Sequence, residues 1–455
     1  MSYFLGIDLG TSYFKAGIFD KAGHLKGLGR QYVPKNTDGE RCELSIDAFW
    51  KTIRRCLDEA IQMAGISVTT IRSISYSTQV NSFILLDACQ QPLTPLILWP
   101  DKRASGMELP VGNVDELMLQ TGLGIFPSTQ FAVAKLKWFQ KYRSDIWEKV
   151  DNILSISDFL TFSFTGQKVC DYSTASMSCL FDIVNNVWWD EQLGKTGIHA
   201  NMLSVPQKTG AYVGVTTADV TDLVGLPPGI PFFLGGLDHH IAAIGAGIPS
   251  NGFLCVSTGT VLSCVDYTAV FLPQKNICVA LGLHFSRFFR LIFDDNGASS
   301  LEWYQKNYAP SYTIDGLLEM ASHIAPGCEG LIARPCAEKF SGLSGFMPMK
   351  AYRYQHGHYV RAILESTARS LQQMVAEIKK DSPVPAIVVS GGGSRSELWI
   401  EIKSTLLQVP FLIPECTELS CMGAAMIGAL GINEFDDYDS LVNAWVRFRD
   451  REKVR

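Results

Sequence analysis

Two acids, two hydroxyl-rich glycine turns and a run of three glycines are the residues of this chain whose types and spacing suit phosphate chemistry. Asp8-Leu9-Gly10-Thr11-Ser12 ends an apolar run and puts an acid, a glycine and two hydroxyls into one tight turn. The backbone N–H groups and the bare glycine of such a turn allow phosphate oxygens to approach closely, and Lys15 adds a positive charge. An acid there would repel a phosphate unless a cation intervened. Asp8 therefore reads as a ligand, direct or through water, of Mg²⁺ on a nucleotide, with a solvated aspartate in a glycine turn as the plain alternative. Ser257-Thr258-Gly259-Thr260 repeats the hydroxyl chemistry without the acid, so two clamps and one metal carboxylate would hold a triphosphate. Gly391-Gly392-Gly393-Ser394 follows a strand-like run and opens a helix, where free N–H groups and the helix dipole favour a nucleotide. Its spacing is not that of a dinucleotide-binding fingerprint, because Ser396 and Pro410 stand where that pattern needs other residues.

The second acid, Asp238, stands at the end of an apolar strand in the turn Gly235-Gly236-Leu237-Asp238. Catalytic groups of α/β domains gather at such strand ends, and Asp238 is the expected general base. His239 and His240 read as neighbours on an extended segment, pointing to opposite sides and poorly placed to share a metal. Trp99-Pro100-Asp101-Lys102-Arg103 combines a flat ring with charges on a loop. The ring suits the C–H face of a sugar and Asp101 and Arg103 its hydroxyls, the alternative being a surface loop with an ion pair. Gln79, Asn81 and Gln130 are further polar candidates.

The elements that must position these groups repeat. Phe4 to Thr11 and Phe253 to Thr260 share the frame F-L-x-[I/V]-x-x-G-T, each followed by a second apolar run. Each reads as strand, Gly-Thr turn, strand. In the first half, strands at 3–9, 13–19 and 25–33 precede an amphipathic helix capped by Ser45, then strands near 71–77 and 83–87, helices around 129–141 and 157–164, and the strand 232–234. In the second, the hairpin 253–265 and strands near 278–284 and 289–293 lead to helices at 299–307, 314–323 and 357–379. A strand at 386–390 and helices at 395–407 and 420–430 follow. Both halves are α/β with a mixed sheet. The expected domains are 1–246 and 247–455, with a central cleft between them.

A chain of 455 residues suits two or three domains, and 47% hydrophobic with 18% charged residues places it in the globular range. A net charge of −6 leaves no basic excess for a nucleic-acid backbone. No apolar stretch approaches a membrane span, Met1 leads into FLGIDLG without a signal-peptide pattern, and the scattered cysteines suit a reducing compartment. The expected location is the cytoplasm. The expected partner is a small molecule, with neither nucleic acid nor membrane, and a homodimer is left open.

The order of G-I-D-L-G-T-S, W-x-D-x-R, K-L-x-W (Lys135 to Trp138), D-Y-S-x-A-S (Asp171 to Ser176), L-F-D-I (Leu180 to Ile183), G-G-L-D, V-S-T-G-T and S-G-G-G-S-x-S resembles the FGGY carbohydrate kinases over nearly the whole chain. The resemblance implies two actin/ribonuclease-H-like domains that take ATP and a sugar. It makes Asp8 the Mg²⁺-associated acid, Asp238 the base facing the sugar hydroxyl, Thr260 and its turn a phosphate contact, and Gly392 and Gly393 the adenosine-side turn. Xylulokinase-like members carry S-G-Q-M-H-G where this chain has Ser77-Thr78-Gln79-Val80-Asn81-Ser82, so Val80 and Asn81 replace a sugar-facing Met-His pair. His239 stands where glutamine is frequent, and Ser341 to Phe346 replaces an R-G-x-x-G-like loop. The expected activity is phosphorylation by ATP of a primary hydroxyl on a small ketose (pentulose or hexulose) or polyol. The rivals are a non-catalytic ATP-binding sensor and an actin- or chaperone-type ATPase.

Overall fold

The computed structural model describes residues 2–109, 111–283, 287–334, 343–347, 353–380 and 382–449; Ser341 and Gly342 of the altered loop lie outside them. The chain forms two compact units. The first comprises Met1–Ser250, Tyr267–Arg290 and Glu418–Val446; the second comprises Asn251–Asp266, Leu291–Thr417 and Arg447–Arg455.

In the first unit, β1 (Tyr3–Leu9), β2 (Tyr13–Asp20) and β3 (Leu25–Tyr32) form an antiparallel meander. All seven residues of β1 are buried, as its apolar sequence requires of a strand covered on both faces. Helix α1 (Ile46–Ala64) begins where Ser45 Oγ accepts from the Ala48 N–H and ends at Gly65 in the left-handed region. Its apolar stripe, Phe49, Ile53, Cys56, Leu57 and Ala60, joins the core beneath the sheet. A second, five-stranded sheet runs β4-β5-β8-β7-β9 from β4 (Asn36–Asp38), β5 (Arg41–Leu44), β7 (Phe83–Leu86), β8 (Leu96–Ile97) and β9 (Asn152–Ser155). Of these only β7 is expected from the sequence, where Phe83-Ile84-Leu85-Leu86 is a continuous apolar run; the others are too short or too polar for a pattern to show.

The main sheet has the order β10-β11-β6-β1-β2-β3, where β6 is Ile71–Thr78, β10 Tyr212–Val215 and β11 Pro231–Phe233; β12 (Gly236–Leu237) also pairs with β6. β6 runs parallel to β1 and to β12, so their C-terminal ends lie at one edge. Helix α2 (Ala132–Tyr142), α3 (Ile156–Thr165) and α4 (Asp238–Gly245) follow in the chain.

The second unit repeats the opening arrangement. β13 (Leu254–Thr258) pairs antiparallel with β14 (Leu262–Thr268) and parallel with β15 (Ile387–Ser390), and β16 (Phe411–Leu412) adds to β15. A hairpin whose first strand gains a parallel neighbour thus occurs once in each unit, as the repeated sequence frame predicts. Helix α5 (His356–Lys379) and α6 (Glu397–Leu407) cover this sheet's unit, with a core that includes Leu317, Val360, Ile363, Leu364 and Trp399.

Helix α7 (Leu419–Gly431), which the sequence reading grouped with the second half, packs in the first unit against β1, β6 and α4. Glycines make the approach feasible. A Cβ on Gly6 would lie 2.0 Å from the Cys421 carbonyl oxygen, and one on Gly423 would lie 1.9 Å from that of Ile241.

Candidate active site

The first unit assembles a site at the C-terminal edge of its main sheet. Asp8 is the penultimate residue of β1, and its rung neighbours set the geometry: Asp8 pairs with Ser77, and Ser77 pairs with Gly236. Asp238, two residues beyond Gly236, therefore emerges at the same sheet edge as Asp8 with β6 between their strands, near enough for its charge to act on Asp8. It is the first residue of α4, with a third of its side chain exposed, and its Oδ1 accepts from the His239 N–H at 2.8 Å. Its support comes from below. Asp171 accepts from Tyr76, Ser173 and Thr174, and Ser173 Oγ in turn accepts from the Leu237 N–H at 2.9 Å. Gly235 sits so close that a Cβ there would lie 1.6 Å from the Tyr76 carbonyl oxygen.

Asp8 is buried, and burial raises its carboxyl above the usual range, with the Asp238 charge adding to the rise; Lys15 and the Ser77 hydroxyl oppose it. Ser77 Oγ donates to Asp8 Oδ1 at 2.9 Å. Lys15 Nζ lies 3.5 Å from Asp8 and 2.8 Å from Glu418, at the head of α7. Lys15 was expected to face phosphates; in the fold its charge is already held between two carboxylates. Glu418 carried no signal in the sequence, because its role depends on α7 returning to the first unit.

The turn after β1 is tied to the neighbouring loops. Gln79 Nε2 donates to the Gly10 carbonyl at 3.2 Å, Trp99 Nε1 donates to Thr11 Oγ1 at 2.7 Å, and Ser82 Oγ accepts from the Trp99 N–H at 2.9 Å. Ser12 is exposed and Val80 half-buried. Asn81 has a φ of 62°, and its Oδ1 accepts from the Ala132 N–H at the start of α2. Gln79, Val80, Asn81, Thr11 and Trp99 are thus brought into one neighbourhood with Gly10.

Lys135, of the K-L-x-W motif, is central to that neighbourhood. It is fully buried, and its three ammonium protons meet three backbone carbonyls: Asn81 and Leu98 at 3.0 Å each and Trp99 at 3.4 Å. Burial pushes it down to about 7 despite the Asp101 charge nearby. One side chain thereby joins the 79–82 loop to the 98–99 loop.

Asp101 and Arg103 do not present themselves as Trp99 does. Asp101 is fully buried; Arg103 Nε and Nη2 each donate to it at 2.8 Å, and it also accepts from the Cys42 N–H. Arg103 reaches on to Glu43 and lies over the rings of Trp138 and Phe139. Together they brace the loop that carries Trp99. His239 and His240 are also placed differently from the reading, in the first turn of α4 rather than on an extended segment. His240 is buried against Phe289, and burial lowers its ring to about 3, leaving it neutral.

The second unit gathers its own candidates. Thr258 ends β13, the Gly259 carbonyl accepts from the Ala298 N–H at 2.7 Å, and Thr260 is exposed. Gly391, with a φ of 77°, and Gly393 press on this turn. A Cβ on Gly391 would lie 2.9 Å from Ser257 Oγ, and one on Gly393 would lie 2.7 Å from Thr258 Cγ2. Gly392 is exposed with open space around it. The two glycine motifs of the second half are therefore neighbours.

A partly exposed acid at the same sheet edge as a buried one, on a sheet whose opening hairpin recurs in a second unit, is the arrangement of a phosphotransferase with two actin/ribonuclease-H-like domains. The N-terminal domain model of the FGGY family of carbohydrate kinases matches residues 3–245 and its C-terminal domain model residues 323–432. The chain belongs to the FGGY family of carbohydrate kinases and is an ATP-dependent sugar kinase. It is 26% identical to a gluconokinase of Bacillus subtilis (strain 168) over 97% of this chain and 90% of that protein. It is 24% identical to a xylulose kinase of the same organism over 98% and 92%. Its fold matches that of ligand-bound xylulose kinase from Lactobacillus acidophilus with a TM-score of 0.86 at 18% identity, covering 99% of this chain and 93% of the other. The match to Plasmodium falciparum glycerol kinase with ADP has a TM-score of 0.82 at 18% identity, with the same coverage. Among the described residues no helix is long and apolar enough to cross a membrane.

Proposed function

We propose that the protein transfers the γ-phosphoryl group of ATP to a primary hydroxyl of a small ketose, a pentulose or hexulose, or of a polyol. The observation that carries the reading is the placement of Asp238: partly exposed, at a strand-to-helix junction, at the same sheet edge as the buried Asp8 with β6 between their strands. Asp238 accepts the hydroxyl proton as the oxygen attacks phosphorus, a role that needs a carboxylate open to the substrate and fixed from behind. The Asp171–Ser173–Leu237 chain supplies the fixing.

The residues present fit Mg²⁺ carried in on a nucleotide better than a resident metal. Among the described residues no group of three or more acids, histidines or cysteines could hold an ion, whereas a nucleotide-borne Mg²⁺ uses phosphate oxygens, water and one or two carboxylates. Asp8 would hold it, and the ion when bound neutralises phosphate charge. Burial raises the Asp8 carboxyl, and Lys15 and the Ser77 hydroxyl favour its charged form against that rise. The turns at 10–12 and 258–260 offer N–H and hydroxyl donors to phosphate oxygens, and Gly391 to Gly393 offer a bare backbone to the nucleoside.

For the acceptor, the half-buried Trp99 ring is the candidate surface, while the Gln79 amide is held by Gly10 and Ser82 and Asn81 Oδ1 by the Ala132 N–H, so these two shape the loop beside it. Val80 and Asn81 in place of a Met-His pair argue for an acceptor other than the usual xylulose. The gluconokinase similarity supports testing an aldonate beside the ketoses and polyols. ADP release from MgATP across pentuloses, hexuloses, aldoses, aldonates and polyols tests the reading. Stimulation by one class, lost in Asp238→Asn, is the expected result. ATP binding without stimulation by any of the ketoses or polyols would place the acceptor outside these classes and overturn the proposed substrate.

A further inference from the structure

Lys403 lies in α6, below the turn that ends β13. It is 1% exposed, one of the few fully buried charged side chains of the second unit. Its Nζ donates to Thr258 Oγ1 at 2.6 Å and sits 4.6 Å from the centre of the Trp399 ring. Among the described residues no carboxylate pairs with it, and no titratable group of β13, β15, the 391–395 turn or α5 is near enough to act on its charge; burial is the one influence. An ammonium removed from water costs several kcal/mol unless a counter-charge offsets it. Among the described residues one hydroxyl and one ring face offset that cost.

The neighbourhood suggests what the missing counter-charge is. Thr258 is the first residue of the turn Thr258-Gly259-Thr260, and Gly393 is packed on its methyl group. This turn and the Gly391–Gly393 turn are the second unit's donors to a nucleotide under the function proposed above, on which the present inference rests. We propose that Lys403 is a positioning residue for nucleotide binding: through Thr258 it fixes the phosphate turn, and it takes up a proton from solvent when the phosphates arrive. The proton joins the lone pair of Nζ, no other bond changes, and the added charge faces the polyphosphate through a low-dielectric wall, where it is poorly screened.

The sign of the linkage follows. Burial lowers Lys403 to about 7 in the free protein, so part of the population is neutral above neutral pH. An anion bound nearby favours the charged form, and by reciprocity the charged form binds the anion more tightly. Affinity for the nucleotide is then greatest below about pH 7 and declines as pH rises through that value.

Calorimetry of MgADP binding at about pH 8, in buffers of differing ionisation enthalpy, reads the proton directly. Wild-type protein should take up a fraction of a proton per MgADP, and Lys403→Met should take up less, with affinity lower by on the order of tenfold. Lys403→Arg, which stays charged, should also show the smaller uptake, and it supplies the comparison if the methionine variant does not fold. Equal uptake in wild type and both variants, or in wild type and arginine alone if only that folds, would overturn the proposal. Thr260→Val separates this failure from that of the underlying reading. If Thr260→Val weakens MgADP while uptake is unchanged in the Lys403 variants, only the role of Lys403 is lost. If Thr260→Val leaves MgADP affinity intact, the turn is not the phosphate site and both fall.

Discussion

The Lys15 ammonium lies 2.8 Å from a Glu418 carboxylate oxygen, although the two residues come from opposite ends of the chain. The same ammonium lies 3.5 Å from Asp8, so Asp8 owes its local charge balance to a helix that joins the first unit only after the chain has built most of the second. Lys15 lowers the Asp8 carboxyl and Glu418 raises it. Their removal should therefore act in opposite directions. Lys15→Met should move the acid limb of the pH–kcat profile to higher pH, and Glu418→Gln should move it lower. Shifts in the same direction would show that the limb does not report Asp8.

Asp238→Asn keeps the side chain's shape and an oxygen for the His239 N–H but cannot accept the substrate proton. Turnover should fall by on the order of 10²-fold or more, the scale of lost general base catalysis. Nucleotide affinity, measured by calorimetry, should change little. Near-normal turnover would remove Asp238 from the role of base.

Lys135→Met would leave three carbonyls without their donor. At about 1–3 kcal/mol for each buried polar group left unsatisfied, the loss of stability in urea unfolding should reach about 3 kcal/mol or more. The freed 79–82 and 98–99 loops should also raise the KM for the acceptor more than the KM for ATP. Equal changes in both constants would make Lys135 a general core residue and no organiser of the acceptor loops.

Asp158 is fully buried in the capping box at the start of α3, and burial pushes it up to about 7. Because its folded value lies above the unfolded one, the folded chain holds this proton longer. The stability it contributes is complete below the ordinary aspartate range and is lost as pH rises through about 7. Asp158→Asn, which never ionises, should match wild type near pH 4 and exceed it in urea midpoint at about pH 8. A constant difference across that range would show that Asp158 titrates normally.

What the sequence by itself determined was local. Ser45 and Gly65 bound α1 through groups a few residues away, the all-apolar β1 announces a strand covered on both faces, and the F-L-x-[I/V]-x-x-G-T frame revealed both hairpins because a turn's chemistry is written in its own residues. Asp8 and Asp238 were legible as acids at strand ends. The tertiary structure decided which distant groups meet them. The registers Asp8–Ser77 and Ser77–Gly236 bring the two acids together, and α7 delivers Glu418 to Lys15. The fold also turns the Asp101–Arg103 pair inward and buries Lys135 beneath two loops. Partners so far apart in sequence leave no periodicity and no spacing to read, since their pairing is selected by desolvation and backbone register once the sheet exists. A buried ammonium needs acceptors wherever the chain can supply them, and only the packed fold fixes where those are.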